Sequence, residues 1–168
     1  DEIVTTLVEG PLGKQVRVPI SYAQLKDLDE SGDSSEHLSM SRAELSALVD
    51  QLDTVRAATE KYKDVQVALD DGFVRATDEV PNMGAHFLHP VRMNDGKFDP
   101  AEPEFLLYTR DGAENWELVG TGFILPTRLA GEGHPEGFVG PLDNWHVHYS
   151  LCLGGTAGSR SATQEECR

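Results

Sequence analysis

The first 20 residues alternate between apolar and polar side chains in two short stretches. Residues 2–8 and 14–20 each follow the two-residue period of a strand, and residues 10–13 between them are rich in glycine and proline. Alternating stretches on both sides of such a segment are typical of a β-hairpin or of two edge strands. We therefore expect a hairpin at the start of the chain.

Residues 21–70 follow a helical period instead. Ser41 with Glu44 three residues later forms a capping box, which marks the start of a helix. Behind it, apolar side chains recur three and four positions apart, at Leu45, Leu48, Val49, Leu52, Val55 and Ala58. A second helical stretch covers residues 62–69 and ends at the Asp-Asp-Gly sequence of residues 70–72.

Beyond residue 72 the chain consists of short apolar stretches separated by turns and prolines. Candidate strands are Ala85–Leu88 and residues 105–109, 118–125 and 145–153, with a turn at Asp111-Gly112. Hairpin and helices followed by a run of strands predict an α+β fold, an antiparallel β-sheet packed on helices. We expect a single domain of residues 1–168, in which residues 1–54 form an N-terminal extension with a possible helix–loop–helix and residues 55–168 form the core.

The charge balance narrows the range of partners. The chain has 29 acidic and 14 basic residues and a net charge of −15. This excess of negative charge argues against nucleic acid, which requires a basic surface, and against anionic membrane surfaces. No apolar stretch approaches the ~20 residues of a membrane span. The charge favours attraction of cations.

Four of the six histidines form two close pairs. His146 and His148 lie two apart in an apolar, aromatic stretch, so on a strand both point to one face and can supply half of a tetrahedral metal site. His86 and His89 lie three apart. On a strand they point to opposite faces and only one can join the other pair, whereas in a turn both can converge.

Histidine is the commonest metal ligand in proteins, so the two pairs favour a metal site over isolated, hydrogen-bonded strand residues. Met83 and Met93 flank the first pair. Thioether and imidazole together favour copper, and imidazole with carboxylates suits zinc. We predict a zinc or copper ion bound by His86, His146 and His148, with His89 as a further candidate.

A possible calcium site lies in the acidic segment of residues 27–33. It matches the early positions of an EF-hand loop, with Asp27, Asp29, Ser31, Gly32 and Asp33. The twelfth position is Leu38 rather than the glutamate that supplies much of the affinity. An acidic, solvated loop ahead of a capped helix is the stronger interpretation.

Cys152 and Cys167 are the only cysteines and bracket a flexible polar loop. Such a pair suggests one disulfide, and two unrelated thiols are the alternative. Disulfides persist outside the cytosol, which favours an exported protein, extracellular or on the cell surface. For catalysis, Ser150 and His148 share a face but lack a third member, so no catalytic residue is assigned.

Several motifs in residues 55–168 resemble those of a family of exported prokaryotic proteins without an established function. They are Met83-Gly-Ala-His86, Asp99-Pro-Ala-Glu-Pro-Glu-Phe-Leu-Leu-Tyr108 and Trp145-His-Val-His-Tyr-Ser-Leu-Cys152, together with shorter matches in residues 59–64, 68–73 and 118–120. The resemblance implies that His86, His146 and His148 are the core histidines, with His89 more variable. It also implies export and a Cys152–Cys167 bridge. The chain departs from the family pattern at Gly122, where the pattern favours glutamate.

Three functions fit these observations. The first is a non-catalytic, exported metal-binding protein, acting as a carrier, a sensor or a metal-stabilised module. The second is a metalloenzyme whose three histidines leave one metal position open. The third is a structural or assembly protein of the cell surface, in which a metal rigidifies one subunit or bridges a homo-oligomer. We expect the first, because no carboxylate base replaces the missing glutamate at position 122.

Overall fold

The computed structural model describes residues 3–9, 15–113, 115–132, 135–143 and 145. They divide into two compact units, one built from residues up to Arg56 with Glu136–Trp145, and the other from Ala57–Pro135. The sequence placed the border between extension and core at residue 54. It did not indicate that residues 136–145 belong with the first unit.

The first unit contains the hairpin and most of the long helix. Strand β1 (Ile3–Glu9) pairs antiparallel with β2 (Gln15–Ser21), with Ile3 opposite Ser21. Helix α1 (Tyr22–Ser31) starts from a capping box at Ser21 and ends at Gly32, whose φ of 74° is the left-handed conformation that favours glycine. A 3₁₀ turn (Glu36–Leu38) leads to α2 (Arg42–Thr59). The buried core of this unit comprises Ile20, Leu25, Leu38, Met40, Leu45, Leu48, Val49 and Leu142.

The second unit is a four-stranded antiparallel sheet with short helices on one face. A 3₁₀ turn (Glu60–Lys63) and α3 (Val65–Asp70) precede the strands β3 (Val74–Arg75), β4 (Ala85–Leu88), β5 (Phe105–Arg110) and β6 (Trp116–Gly122), which are ordered β3-β4-β5-β6. One face of the sheet buries Ala85, Phe87, Leu106 and Tyr108 against Tyr62, Ala68 and Phe73. The predicted α+β fold is confirmed.

Strand periodicity decides which side chains are available for chemistry. Since Ala85 and Phe87 point into the core, His86 between them points to the opposite face of the sheet. His86 lies opposite Leu107 on β5. None of the described helices combines the length and the apolar composition that a membrane crossing requires.

Candidate functional site

His86 is half-buried on the face of the sheet that points away from the core. Its Nδ1 lies 3.1 Å from the Thr77 hydroxyl oxygen, and the same oxygen accepts the His86 backbone N–H at 2.9 Å. The imidazole is tilted against the Phe105 ring, with centroids 5.8 Å apart. Two contacts to one hydroxyl and one ring contact fix the orientation of His86.

The remainder of the Met83-Gly-Ala-His86 motif has a structural explanation. Gly84 has a φ of 84°, and a Cβ there would lie 2.5 Å from the Tyr108 carbonyl oxygen, so only glycine fits. Ala85 is fully buried in the core. Met83 is half exposed. Gly84 and Ala85 of the motif are therefore required by the packing of the sheet.

His89 lies on the other side of the sheet from His86 and is fully engaged there. Its Nδ1 accepts the Arg92 backbone N–H at 3.3 Å, so Nε2 carries the ring proton and donates to the Asp71 carbonyl oxygen at 3.0 Å. The ring also packs edge-on against Phe73. Coordination of a metal by His89 would break one of these two hydrogen bonds.

Beneath His89 lies a charged cluster that joins α3 to the segment after β4. The Asp71 carboxylate accepts a short hydrogen bond from Tyr62, and Lys61 and Arg92 approach it at 3.3 Å and 3.2 Å. The Tyr62 hydroxyl is the main cause of a lowered Asp71 pKa, and the two cations add to it. Arg92 also donates to the Pro103 carbonyl oxygen. These contacts hold the His89–Arg92 segment in place. The polar groups of His89 and Arg92 are thereby occupied by hydrogen bonds and an ion pair within the second unit.

The second histidine pair, His146 and His148, and both cysteines, Cys152 and Cys167, lie outside the described residues. The predicted strand at residues 145–153 lies there too, apart from Trp145. Within the described ranges, no three histidine, cysteine or acidic side chains are grouped as a metal site would need. The structure thus places His86 and separates it from His89.

The segment predicted as a calcium loop has another conformation. Helix α1 continues through Ser31, so Asp27 and Asp29 are helical residues. Side chains two positions apart on a helix point about 200° apart, whereas an EF-hand loop turns them toward one ion. The Ser31 hydroxyl donates to the Leu28 carbonyl oxygen, and Asp33 follows the helix end. The loop geometry that the calcium prediction requires is absent here, so we carry no calcium site forward.

A buried carboxyl group that the sequence did not single out lies at the start of β5. Glu104 is 3% exposed, and its Oε2 accepts the Ile124 backbone N–H at 3.2 Å. Desolvation is the main cause that raises the pKa of Glu104 to about 7, against the opposing effect of the backbone hydrogen bonds. The strand period is the one signal in the sequence, because residues 104, 106 and 108 share a face and the last two are buried.

Beside the non-core face of the sheet there is a groove of about 710 Å³. It is lined by residues 79–84 and by Leu107, Thr109 and Val119. On the same face Phe105 covers Gly122 of β6, where an added Cβ would lie 2.3 Å from Cζ of the ring. A side chain at position 122, such as the glutamate that the resemblance implies, would require the Phe105 ring to move.

No family model matches the chain, and neither the curated proteins nor the solved structures include a similar one. The resemblance in the motifs stays a prediction.

Proposed function

We propose that this protein is an exported, non-catalytic metal-binding protein that holds one zinc or copper ion through His86, His146 and His148. The supporting observation is the contact between the Thr77 hydroxyl and Nδ1 of His86. Metal-binding histidines commonly donate their second ring N–H to an oxygen, which fixes the ring and its tautomer. With Nδ1–H donated to Thr77, Nε2 of His86 is the ligating nitrogen.

His146 and His148 complete the proposed ligand set, because on the strand predicted from the sequence both would point to one face. His89 is left out, since both of its ring nitrogens are engaged. Three imidazoles leave a fourth tetrahedral position for water or for a cargo ligand.

The sheet restricts how the two parts of the site can meet. Neighbouring strands are ~4.8 Å apart, so a strand paired along β6 would lie about 14 Å from β4. Three imidazoles must approach one ion to ~2.0–2.1 Å, which this separation does not allow. The proposal therefore requires residues 146–148 to approach His86 across the face of the sheet rather than to extend the sheet at β6.

A non-catalytic role is favoured over a metalloenzyme because of position 122. The Phe105 ring occupies the space that a side chain at Gly122 would need. A metalloenzyme of this kind would be expected to place a carboxylate base at position 122, and the Phe105 ring covers that position instead. Export and the Cys152–Cys167 disulfide are part of the same proposal and rest on the cysteine spacing and the motif resemblance.

Elemental analysis of the protein purified without added metal, and again after incubation with zinc or copper, tests the proposal. We expect about one equivalent in the wild type and less than about a tenth in His86→Ala and in His146→Ala. His37→Ala is the matched control, because His37 is exposed on a 3₁₀ turn of the other unit and should leave binding unchanged. A wild type that stays below a tenth of an equivalent with both metals would reject the proposal. Metal-dependent dimerisation in sedimentation would favour a bridging, structural metal.

Thr77 provides a finer test that spares the ligands. Thr77→Val removes the oxygen at Nδ1 of His86, and we expect a roughly 10–100-fold loss of metal affinity. Thr77→Ser keeps the hydroxyl and should retain affinity. Equal affinities in the two variants, measured by competition with a chelator, would show that Thr77 does not orient a ligand.

A further inference from the structure

Glu104 is held where three segments of the second unit meet. Its backbone carbonyl oxygen accepts the His89 N–H at 2.8 Å, and its side chain accepts the N–H of Ile124, just beyond β6. Because β5 begins at the next residue, Glu104 points to the same face as the buried Leu106 and Tyr108. One carboxyl group therefore fastens the segment after β6 to the start of β5.

Two loops lie together next to this carboxyl group, and we call them the cover: residues 94–99 and residues 123–129. Phe98 and Phe123 contact each other with ring centroids 4.8 Å apart. Arg128 donates a short hydrogen bond to the Asn94 side chain, and Leu129 lies beside Gly96. The cover lies at the surface, where Asn94, Arg128 and Leu129 are exposed, so it opens at a lower cost than the core of the sheet.

The charges around Glu104 do not neutralise it. Arg92 acts on it favourably, but that guanidinium is bonded to Asp71, Tyr62 and the Pro103 carbonyl oxygen. Asp95 at the start of the cover adds repulsion. Residues 123–127 contain no titratable side chain and contribute the Ile124 backbone N–H.

We propose that Glu104 is a pH-sensitive latch, which holds the cover closed when protonated and favours its opening when ionised. An ionised carboxylate accepts stronger hydrogen bonds from the Ile124 and Glu104 backbone N–H groups, but these do not replace the water that burial removes. The net upward shift of the Glu104 pKa to about 7 agrees that desolvation outweighs the hydrogen bonds. Opening breaks the contact between the Ile124 N–H and the Glu104 side chain and lets water solvate the carboxylate.

The proposal fixes the sign and size of the pH dependence. In the open form Glu104 titrates near its ordinary value of 4.5, and in the closed form near 7. The equilibrium constant for opening should then rise by about tenfold for each pH unit between these values and level off outside them. Closure is strongest below about pH 4.5, weakens as the pH rises from 4.5 to about 7, and changes little above that.

Hydrogen exchange of the amides in the cover, corrected for intrinsic exchange and measured from pH 5 to 8.5, tests this. We expect protection to fall with rising pH in the wild type and to be independent of pH in Glu104→Gln, which imitates the protonated acid. Glu102→Gln is the matched control, because Glu102 is exposed and two positions away, and it should behave as the wild type. Equal pH dependence in Glu104→Gln and the wild type would overturn the proposal.

A measurement on the wild type alone covers the case in which Glu104→Gln does not fold. The carbon-13 shift of the Glu104 carboxyl, followed by NMR, should titrate near neutral pH, together with amide shifts of the cover. A midpoint within the range of exposed glutamates, or a titration that leaves the cover amides unmoved, would contradict the latch.

Discussion

At the scale of single residues, Gly122 shows how an absent side chain shapes the non-core face of the sheet. Phe105 on the neighbouring strand fills the space above it, and His86 then packs against Phe105. An aromatic ring across from a strand glycine restores contacts that the glycine lacks. The glycine thus indirectly sets the position of the candidate ligand.

We expect Gly122→Ala to lower the free energy of unfolding by about 1–3 kcal/mol, because the new Cβ would overlap the Phe105 ring. Gly112→Ala is a suitable control, since an added Cβ there meets nothing within 4 Å. Urea unfolding of both variants measures the difference. If Phe105→Leu fails to restore stability in the Gly122→Ala background, the cause is not this overlap.

Glu104 and His86 illustrate what single-residue patterns can and cannot reveal. The spacing of His86 and His89 left two arrangements open, opposite faces of a strand or convergence in a turn; in the structure His86 lies on β4 and His89 follows it on the other side of the sheet. Glu104 was not singled out, because in a chain with 29 acidic residues the strand period alone does not distinguish one glutamate from the others. Its side chain is bonded to the N–H of Ile124, 20 residues further along the chain, and the sequence alone does not show that contact.

At the scale of secondary structure, the start of α2 depends on the reciprocal contact that the sequence predicted. The Ser41 hydroxyl accepts the Glu44 N–H at 3.3 Å, and the Glu44 carboxylate accepts the Ser41 N–H at 2.8 Å. These contacts from Ser41 lower the Glu44 pKa. The ionised form of Glu44 is therefore bound more tightly in the folded state.

We expect Ser41→Ala to cost about 1 kcal/mol of stability at neutral pH, because the first turn loses its side-chain acceptor. Glu44 contributes stability above its ordinary pKa of 4.5 and loses it as the pH falls through its lower folded value. Unfolding measured from pH 3 to 7 should show a smaller acid-side loss in Ser41→Ala than in the wild type. Ser46→Ala, within the same helix, is the control and should keep the pH dependence of the wild type. If Ser41→Ala and Ser46→Ala show the same dependence of stability on pH, the Ser41–Glu44 contact is not its cause.

The limits of sequence prediction are clearest where one pattern fits two structures. Ala85–Leu88 is a strand as predicted, since its apolar stretch ends at a histidine and a proline. The predicted strand at residues 118–125 is instead Trp116–Gly122. Phe123 and Ile124 looked like strand residues but leave the sheet to contact Phe98 and Glu104. An apolar stretch indicates that its residues are buried. Which part of the molecule they pack against is decided by tertiary contacts.

The acidic segment after Tyr22 was ambiguous for a related reason. The acids in residues 27–33 suit a calcium loop, and they suit better an acidic, solvated loop ahead of a capped helix. In the structure α1 instead continues through Ser31, and Gly32 ends it in the left-handed conformation rather than turning a loop around an ion. The sequence position of Gly32 is the same in both interpretations, so the pattern of residue types could not separate them.

At the scale of the whole molecule, the net charge of −15 is the dominant long-range interaction. The ion pairs in the described residues are mostly exposed; Lys63 and Glu60, for example, have side chains 68% and 67% exposed. Exposed pairs of this kind contribute little to stability. Arg92 with Asp71 is better shielded, because the Arg92 side chain is 13% exposed. Repulsion among the remaining carboxylates is therefore largely uncompensated and opposes folding.

We expect potassium chloride to stabilise the protein at neutral pH, since raising the salt from 0.01 M to 0.15 M shortens the screening length from about 30 Å to about 8 Å. The melting temperature should rise over this range by a few degrees, which corresponds to about 1 kcal/mol for a chain of this size. The same titration near pH 4.6, where the net charge is close to zero, is the internal control. There the repulsion is gone, and screening acts on attractive pairs such as Arg92 with Asp71, so salt should have no effect or lower the melting temperature. An equal rise at both pH values would assign the effect to the salt's action on water and apolar surface rather than to charge.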